Sequence, residues 1–152
     1  MEDEVLIRPY RDEDKRGWVV CRVLSFLGSA FFDVVRQTKE HYAHLAIELV
    51  AERDGEIVGL IDIECDDVPG AVCSDRPGLG AMIWHLAVHP EHQRQGVATK
   101  LLHEAERRAR AGSFVRFEAW TRDDATANAW YEARGFELVD SYLHVYVELH
   151  EG

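Results

Sequence analysis

The run Ala81-Met82-Ile83-Trp84-His85-Leu86-Ala87-Val88 is apolar at its odd and its even positions, with His85 as its one ionisable side chain. It is strand-sized, and a strand with two apolar faces needs cover on both, which places it in the middle of a sheet flanked by helices. The run stops at His89-Pro90. From Gly96 onward, Val97, Ala98, Leu101, Leu102, Ala105 and Ala109 form one apolar stripe, with Lys100, Glu104, Arg107 and Arg108 turned away, so an amphipathic helix follows. Phe114 to Trp120 then reads as another strand. Strand, helix and strand in this order make a parallel β-α-β crossover.

Upstream, Val5 to Arg8 reads as a short strand, and Asp12 to Leu27 and Ser29 to Lys39 carry helical apolar spacing interrupted near Gly28. Ile47 to Arg53 and Ile57 to Glu64 are β-rich and separated by Asp54-Gly55-Glu56, a strong signal for an antiparallel hairpin. Val68 to Gly80 is a loop punctuated by Pro69-Gly70 and Pro77-Gly78. Downstream, Asp124 to Arg134 reads as a helix stopped by Gly135, and a last strand is expected over about Tyr142 to Leu149. A hairpin half joined to a crossover half gives an α/β (α+β) fold with a mixed sheet and helices on both faces. With 152 residues and 47% hydrophobic composition, one domain spanning 1–152 is expected.

The 17 Lys and Arg stand against 28 Asp and Glu, a formal charge of −11, which disfavours nucleic acid or an anionic membrane as the main partner. No apolar stretch reaches the length of a membrane span, and Met1-Glu2-Asp3-Glu4 lacks the basic start of a secretory signal, so a cytoplasmic protein is expected. Cys21, Cys65 and Cys73 are an odd set without a Cys-x-x-Cys pair, which fits reduced thiols. Residues 89–111 alone carry a positive excess, five Lys and Arg against three Asp and Glu.

That positive segment contains Pro90-Glu91-His92-Gln93-Arg94-Gln95-Gly96-Val97-Ala98-Thr99, between the buried strand and its helix. First-turn amides of a helix lack intrahelical acceptors and, with the helix dipole, favour a phosphate, while Gly96 and Ala98 are small enough for its oxygens to approach. The segment is neither a Gly-x-Gly-x-x-Gly nor a Walker loop. His85, His89 and His92 leave a strand for a loop without a partnered Cys or carboxylate pattern, so no metal is expected.

Gln93-Arg94-Gln95-Gly96-Val97-Ala98 resembles the Gln/Arg-x-x-Gly-x-Gly/Ala signature of the GNAT superfamily of N-acetyltransferases, in its expected place after the fourth strand. Ala127-Asn128-Ala129-Trp130-Tyr131-Glu132-Ala133-Arg134-Gly135-Phe136 is similar to the ending of that family, in which an Ala, a Tyr and then Gly-Phe follow the fifth strand. Leu86-Ala87-Val88-His89-Pro90 completes a resemblance over about residues 82 to 140. It implies a mixed central sheet of six to seven strands, acetyl-CoA as co-substrate and, frequently, a homodimer. By the same resemblance, the backbone of Leu86, Ala87 and Val88 would pair with the pantetheine arm, and amides across Arg94 to Thr99 would hold the pyrophosphate. The N–H of Val88 would polarise the thioester carbonyl. Tyr131 takes the position from which many members protonate the departing thiolate. Where the family often has Asn, seven residues before that Tyr, this chain has Asp124, suited to capping its helix, and Asn128 is the substitute for the cofactor contact.

Acetyl transfer to an amine requires removal of a proton from an ammonium, which has no lone pair to attack with. His85 is a candidate base because its ordinary pKa lies near neutrality, and Glu64 and Asp62 could attract the amine or act through water. Alternation puts Asp62 and Glu64 on one face of their strand. By the same resemblance the first two helices form the wall of the acceptor cleft, which makes Trp18 a candidate for it. The expected activity is transfer from acetyl-CoA to a primary amine of a small molecule by direct attack in a ternary complex, because the cysteines fall outside the expected transfer centre. The net acidity favours a cationic acceptor. Acylation of a protein N-terminus or lysine, and a non-catalytic acyl-CoA sensor, are the alternatives.

Overall fold

The computed structural model describes residues 4–26, 38–120, 125–137 and Val147. The chain divides into two compact units, Met1–Ala119 and Trp120–Gly152.

The first unit holds β1 (Leu6–Pro9), α1 (Lys15–Phe26), β2 (Ala46–Arg53), β3 (Glu56–Cys65), β4 (Gly80–Val88), α2 (Val97–Ala111) and β5 (Arg116–Ala119). The sheet order is β1-β2-β3-β4-β5, antiparallel from β1 to β4 and parallel between β4 and β5, which is the mixed sheet expected. The β2–β3 hairpin turns at Asp54-Gly55, both left-handed with φ of 53° and 78°, as a tight hairpin turn whose twist matches the strands requires. Five strands are present among the described residues. The expected strand at Tyr142 to Leu149 lies outside them, apart from Val147, which is not in a strand, so six to seven strands are not reached among the described residues.

The sheet is covered on both faces. Trp18 and Cys21 of α1 are buried with Val50, Leu60 and Ala87, one face of β2, β3 and β4. On the other face α2 comes so close to β3 that a Cβ at Gly59 would lie 2.8 Å from Val97 Cγ1 and 3.1 Å from Leu101 Cδ1. Any side chain there would push the helix off the sheet. Arg8 of β1 ties this layer together at its edge, donating to both Asp14 oxygens at 2.8 and 2.9 Å and to Glu52 at 2.9 Å. Asp14 also accepts the Arg11 amide at 2.8 Å, fixing the turn into α1.

One irregularity decides what the α1 face carries. In the β3–β4 register Asp62 stands opposite His85 and Ile63 opposite Ile83, so Trp84 is an extra residue, a β-bulge. Strict alternation would put Trp84 and His85 on opposite faces. Instead the Trp84 indole donates to Glu64 Oε1 at 3.0 Å, while His85 meets Trp18 of α1, which places both on the α1 face.

The second unit contains α3 (Ala125–Ala133). The expected start at Asp124 lies outside the described residues, and Gly135 closes the helix with a φ of 89°. Leu27 and the expected helical residues Ser29 to Gln37 also lie outside the description, and Thr38 and Lys39 are not helical. No helix among the described residues is long and apolar enough to cross a membrane.

Candidate active site

The site is built around the second half of β4. Its first half, Gly80 to Ile83, pairs with β5 residues Arg116 to Ala119, and β5 goes no further. From Trp84 to Val88 the β5-side edge therefore has no strand partner among the described residues. The His89 amide donates inward to the Val58 carbonyl at 2.8 Å. Since successive residues of a strand direct their amides to opposite edges, the N–H groups of Val88 and Leu86 face the open edge. The Val88 carbonyl also faces away from β3 and is held from two directions. Ser25 Oγ donates to it at 2.9 Å and Gln93 Nε2 at 3.1 Å.

Beyond Val88 a short 3-10 turn, Pro90–His92, leads to α2. Arg94 and Gly96 are both left-handed, with φ of 62° and 81°, so the chain coils tightly before the helix. Gly96 is the N-cap residue and brings no side-chain acceptor to the first-turn amides of α2. Gln93, Arg94, Gln95 and Gly96 are exposed, Val97 is buried against the sheet, and Ala98 and Thr99 are half-buried. Arg53 braces the coil from β2, reaching Gln95 Oε1 at 2.6 Å and His92 Nδ1 at 2.9 Å. A left-handed non-glycine residue and small residues at a helix start form a concave set of amides suited to an anion.

On the α1 face His85 is the centre of a charged cluster. Its Nε2 lies 2.7 Å from Glu40 Oε2, and that carboxylate is also bound by Arg22 Nη1 at 2.5 and 2.6 Å. Burial pushes the His85 pKa below the ordinary 6.5, more than Glu40 and Asp62 raise it, and Arg22 adds to the lowering. The imidazole is therefore neutral at pH 7. Burial alone would raise the Glu40 carboxyl, but Arg22 and His85 together hold it below the ordinary range. Asp62, wholly buried opposite His85, accepts from Lys39 Nζ at 2.8 Å and from Tyr42 at 2.6 Å. Lys39 also bonds Glu48 and lies about 5 Å from the ring centres of Tyr10, Trp18 and Tyr42. Although burial opposes it, the two carboxylates raise the Lys39 pKa. Among the described residues, Asp62 Oδ1 and Trp18 Nε1 are buried without a hydrogen-bond partner.

The structure thus brings His85, Leu86, Ala87 and Val88 together on β4 and places Gln93 to Thr99 directly after it. Glu64 shares the His85 face but is committed to Trp84 and to the His44 amide at 3.1 Å, so it anchors the bulge and is not bonded to His85. Trp18 is wholly buried and packs edge-on against His85, so it does not provide an exposed cleft wall; the exposed tryptophan of this face is Trp84. Tyr131 lies on α3, half-buried between Trp130 and Phe136, each ring centre 5.1 Å away, and burial raises its pKa. Asn128 is three residues before it on the same helix. Glu40 and Arg22 were not signalled by any sequence pattern, because their partners lie 45 and 18 positions away.

Residues 39–138 match the family model described as Acetyltransferase (GNAT) domain. Three solved structures are similar in fold. A transcriptional regulator from Bacillus halodurans is 20% identical at a TM-score of 0.74, covering 95% of this chain and 100% of its own. An N-acetyltransferase from Thermoplasma acidophilum, in complex with coenzyme A, is 15% identical at 0.70, with 91% and 93% covered. An aminoglycoside antibiotic 6'-N-acetyltransferase from Acinetobacter baumannii is 21% identical at 0.66, with 97% and 100% covered. With a family match running from the Lys39 anchor through the open end of β4 to Phe136 and Glu137, the chain belongs to the GNAT family of acetyltransferases.

Proposed function

We propose that the whole chain works as one domain that moves an acetyl group from acetyl-CoA to a primary amine of a small, cationic acceptor, by direct attack in a ternary complex. The observation that carries this reading is the open edge of β4, which runs into a left-handed coil and a helix start one side of His85. Acetyl-CoA supplies the activated acetyl group. The edge amides of Leu86 and Val88 fit an extended amide-bearing arm, and the amides after Gln93 fit its phosphates. The Val88 N–H would stabilise charge developing on the thioester carbonyl oxygen. His85, neutral at pH 7, takes the proton of the acceptor ammonium. Tyr131 keeps its proton because burial raises its pKa, and so serves as the donor to the departing thiolate.

The α1 face supports a cationic acceptor. Among the described residues it gathers Glu40, Glu48, Asp62 and Glu64 against Arg22 and Lys39, and leaves a negative excess beside His85. An aminoglycoside N-acetyltransferase among the structures of similar fold is in keeping with that chemistry. Direct transfer is supported by the thiols. Burial pushes Cys21 and Cys65 up to about 11 and Cys73 to about 12, which leaves no thiolate to carry an acetyl group.

The test is CoA thiol release with a panel of mono-, di- and polyamines, acidic amines and short peptides. Release that rises with cationic small amines supports the proposal. Release only with peptides makes the chain a protein acetyltransferase, and acetyl-CoA binding without amine-dependent release makes it a sensor.

A further inference from the structure

We infer that Glu40 is a positioning residue for His85, holding the imidazole with Nε2 protonated and Nδ1 bare toward the acceptor, and that Arg22 and Lys39 exist at this site to hold Glu40. The inference rests on the reading of His85 as the base.

The geometry runs through three consecutive residues. The Arg22 guanidinium, almost wholly buried on α1, donates to both Glu40 oxygens and, through Nη2, to the Thr38 carbonyl at 2.7 Å. Lys39 drives the other way, into Asp62 and Glu48, and donates to the Glu40 carbonyl at 3.2 Å. Thr38 to Glu40 is therefore tied to α1 on one side and to β2 and β3 on the other, and the Glu40 carboxylate has little freedom to leave His85.

An ionised carboxylate only accepts hydrogen bonds, so the 2.7 Å contact requires the Nε2 of His85 to be the donor. In a neutral imidazole the second nitrogen is then unprotonated and basic. Arg22 keeps Glu40 from taking the proton itself, because protonating Glu40 would surrender two charge-assisted bonds. The groups facing His85 are Glu40, Arg22 and Trp18 from the α1 side and Asp62 from β3, the last neutralised by Lys39 and capped by Tyr42. Glu40 is the one carboxylate among them bonded to the ring. Neutralising it removes the support for positive charge on His85, so the Glu40→Gln imidazole should be a weaker base.

The test is NMR of the full chain carrying 15N-labelled histidine, with His85→Gln to assign the ring, alongside kcat/KM against pH. In the wild type the His85 shifts should report protonated Nε2 and bare Nδ1. In Glu40→Gln the titration midpoint of His85 should fall by about one pH unit, the acid limb of kcat/KM should fall with it, and the plateau should drop roughly tenfold. A wild-type ring protonated at Nδ1, or a midpoint unmoved by Glu40→Gln, overturns the inference. The ring state is read without turnover. A shifted midpoint with an unmoved acid limb would therefore uphold the Glu40–His85 coupling and discard His85 as the base. Should Glu40→Gln fail to fold, the wild-type tautomer alone decides.

Discussion

Ser25, in the last turn of α1, donates its hydroxyl to the carbonyl of Val88 at the end of β4, 2.9 Å away and 63 positions along the chain. The same hydroxyl oxygen lies 2.7 Å from the Cys21 carbonyl one turn back, so the helix end and the strand end share one side chain. With Gln93 on the same carbonyl, the open half of β4 is clamped where the acetyl-CoA arm is proposed to pair. Ser25→Ala should cost about 1 kcal/mol of stability, the net worth of one hydrogen bond, and raise KM for acetyl-CoA about threefold with kcat little changed. Thermal denaturation and steady-state kinetics check this. An unaltered KM in the Ser25→Ala, Gln93→Ala double variant would show that the clamp does not position the strand.

Gly96 is constrained by its backbone and not by its neighbours. Its φ is 81°, and a Cβ would meet nothing within 4 Å. Replacement by Ala should therefore destabilise by about 1 kcal/mol through left-handed strain alone, and Asn, which tolerates that region, by less. Relaxation of the coil would turn the first amides of α2 from the proposed phosphate position. Calorimetric titration with CoA should show Gly96→Ala binding more weakly than Gly96→Asn. Equal affinities would remove Gly96 from the phosphate site.

Lys39 places an ammonium among three rings and two carboxylates, one of which, Asp62, is wholly buried. Lys39→Met would strand the Asp62 charge with only Tyr42 for a partner, a loss of about 3 kcal/mol or more. Lys39→Met with Asp62→Asn should recover much of that loss, since the buried charge is gone. Denaturant melts of the two variants measure the difference. A double variant no more stable than the single would mean that the packing of Lys39 against the rings, and not its charge, carries the stability.

The layered sheet was legible because it rests on local patterns. The doubly apolar strand at 81–88, the Asp54-Gly55 turn and the stripe from Val97 to Ala109 each declare an element within a few residues, and the observed bounds follow them closely. The segment proposed for acyl-CoA, Gln93 to Thr99, is likewise one continuous stretch and could be picked out locally. The cluster around His85, proposed for the acceptor, could not. Alternation correctly put Asp62 and Glu64 on one face, but the Trp84 bulge resets the phase of β4, and no local pattern marks it. Glu40, Arg22 and Lys39 have their charges matched by residues brought close only by folding, so no local pattern singles them out.

The buried imidazole of His85 also makes stability depend on pH. Burial lowers its folded-state pKa below the ordinary 6.5, so between the two values the unfolded chain binds more protons than the folded one. Stability must then rise with pH across that interval, or, in the acid direction, be lost as pH falls below about 6.5 and level off once the folded ring has also titrated. The lowered pKa of Glu40 acts at more acid pH, where protonation of its carboxyl removes a further share. His85→Gln abolishes the first loss and keeps the share of the second that Arg22 supports. Its unfolding free energy should therefore be nearly flat between pH 7 and about 5.5, where the wild type declines, and urea melts at half-unit intervals would resolve the two curves. Parallel curves for both proteins would show that the folded imidazole titrates as it does in the unfolded chain, and would remove the lowering of its pKa by burial.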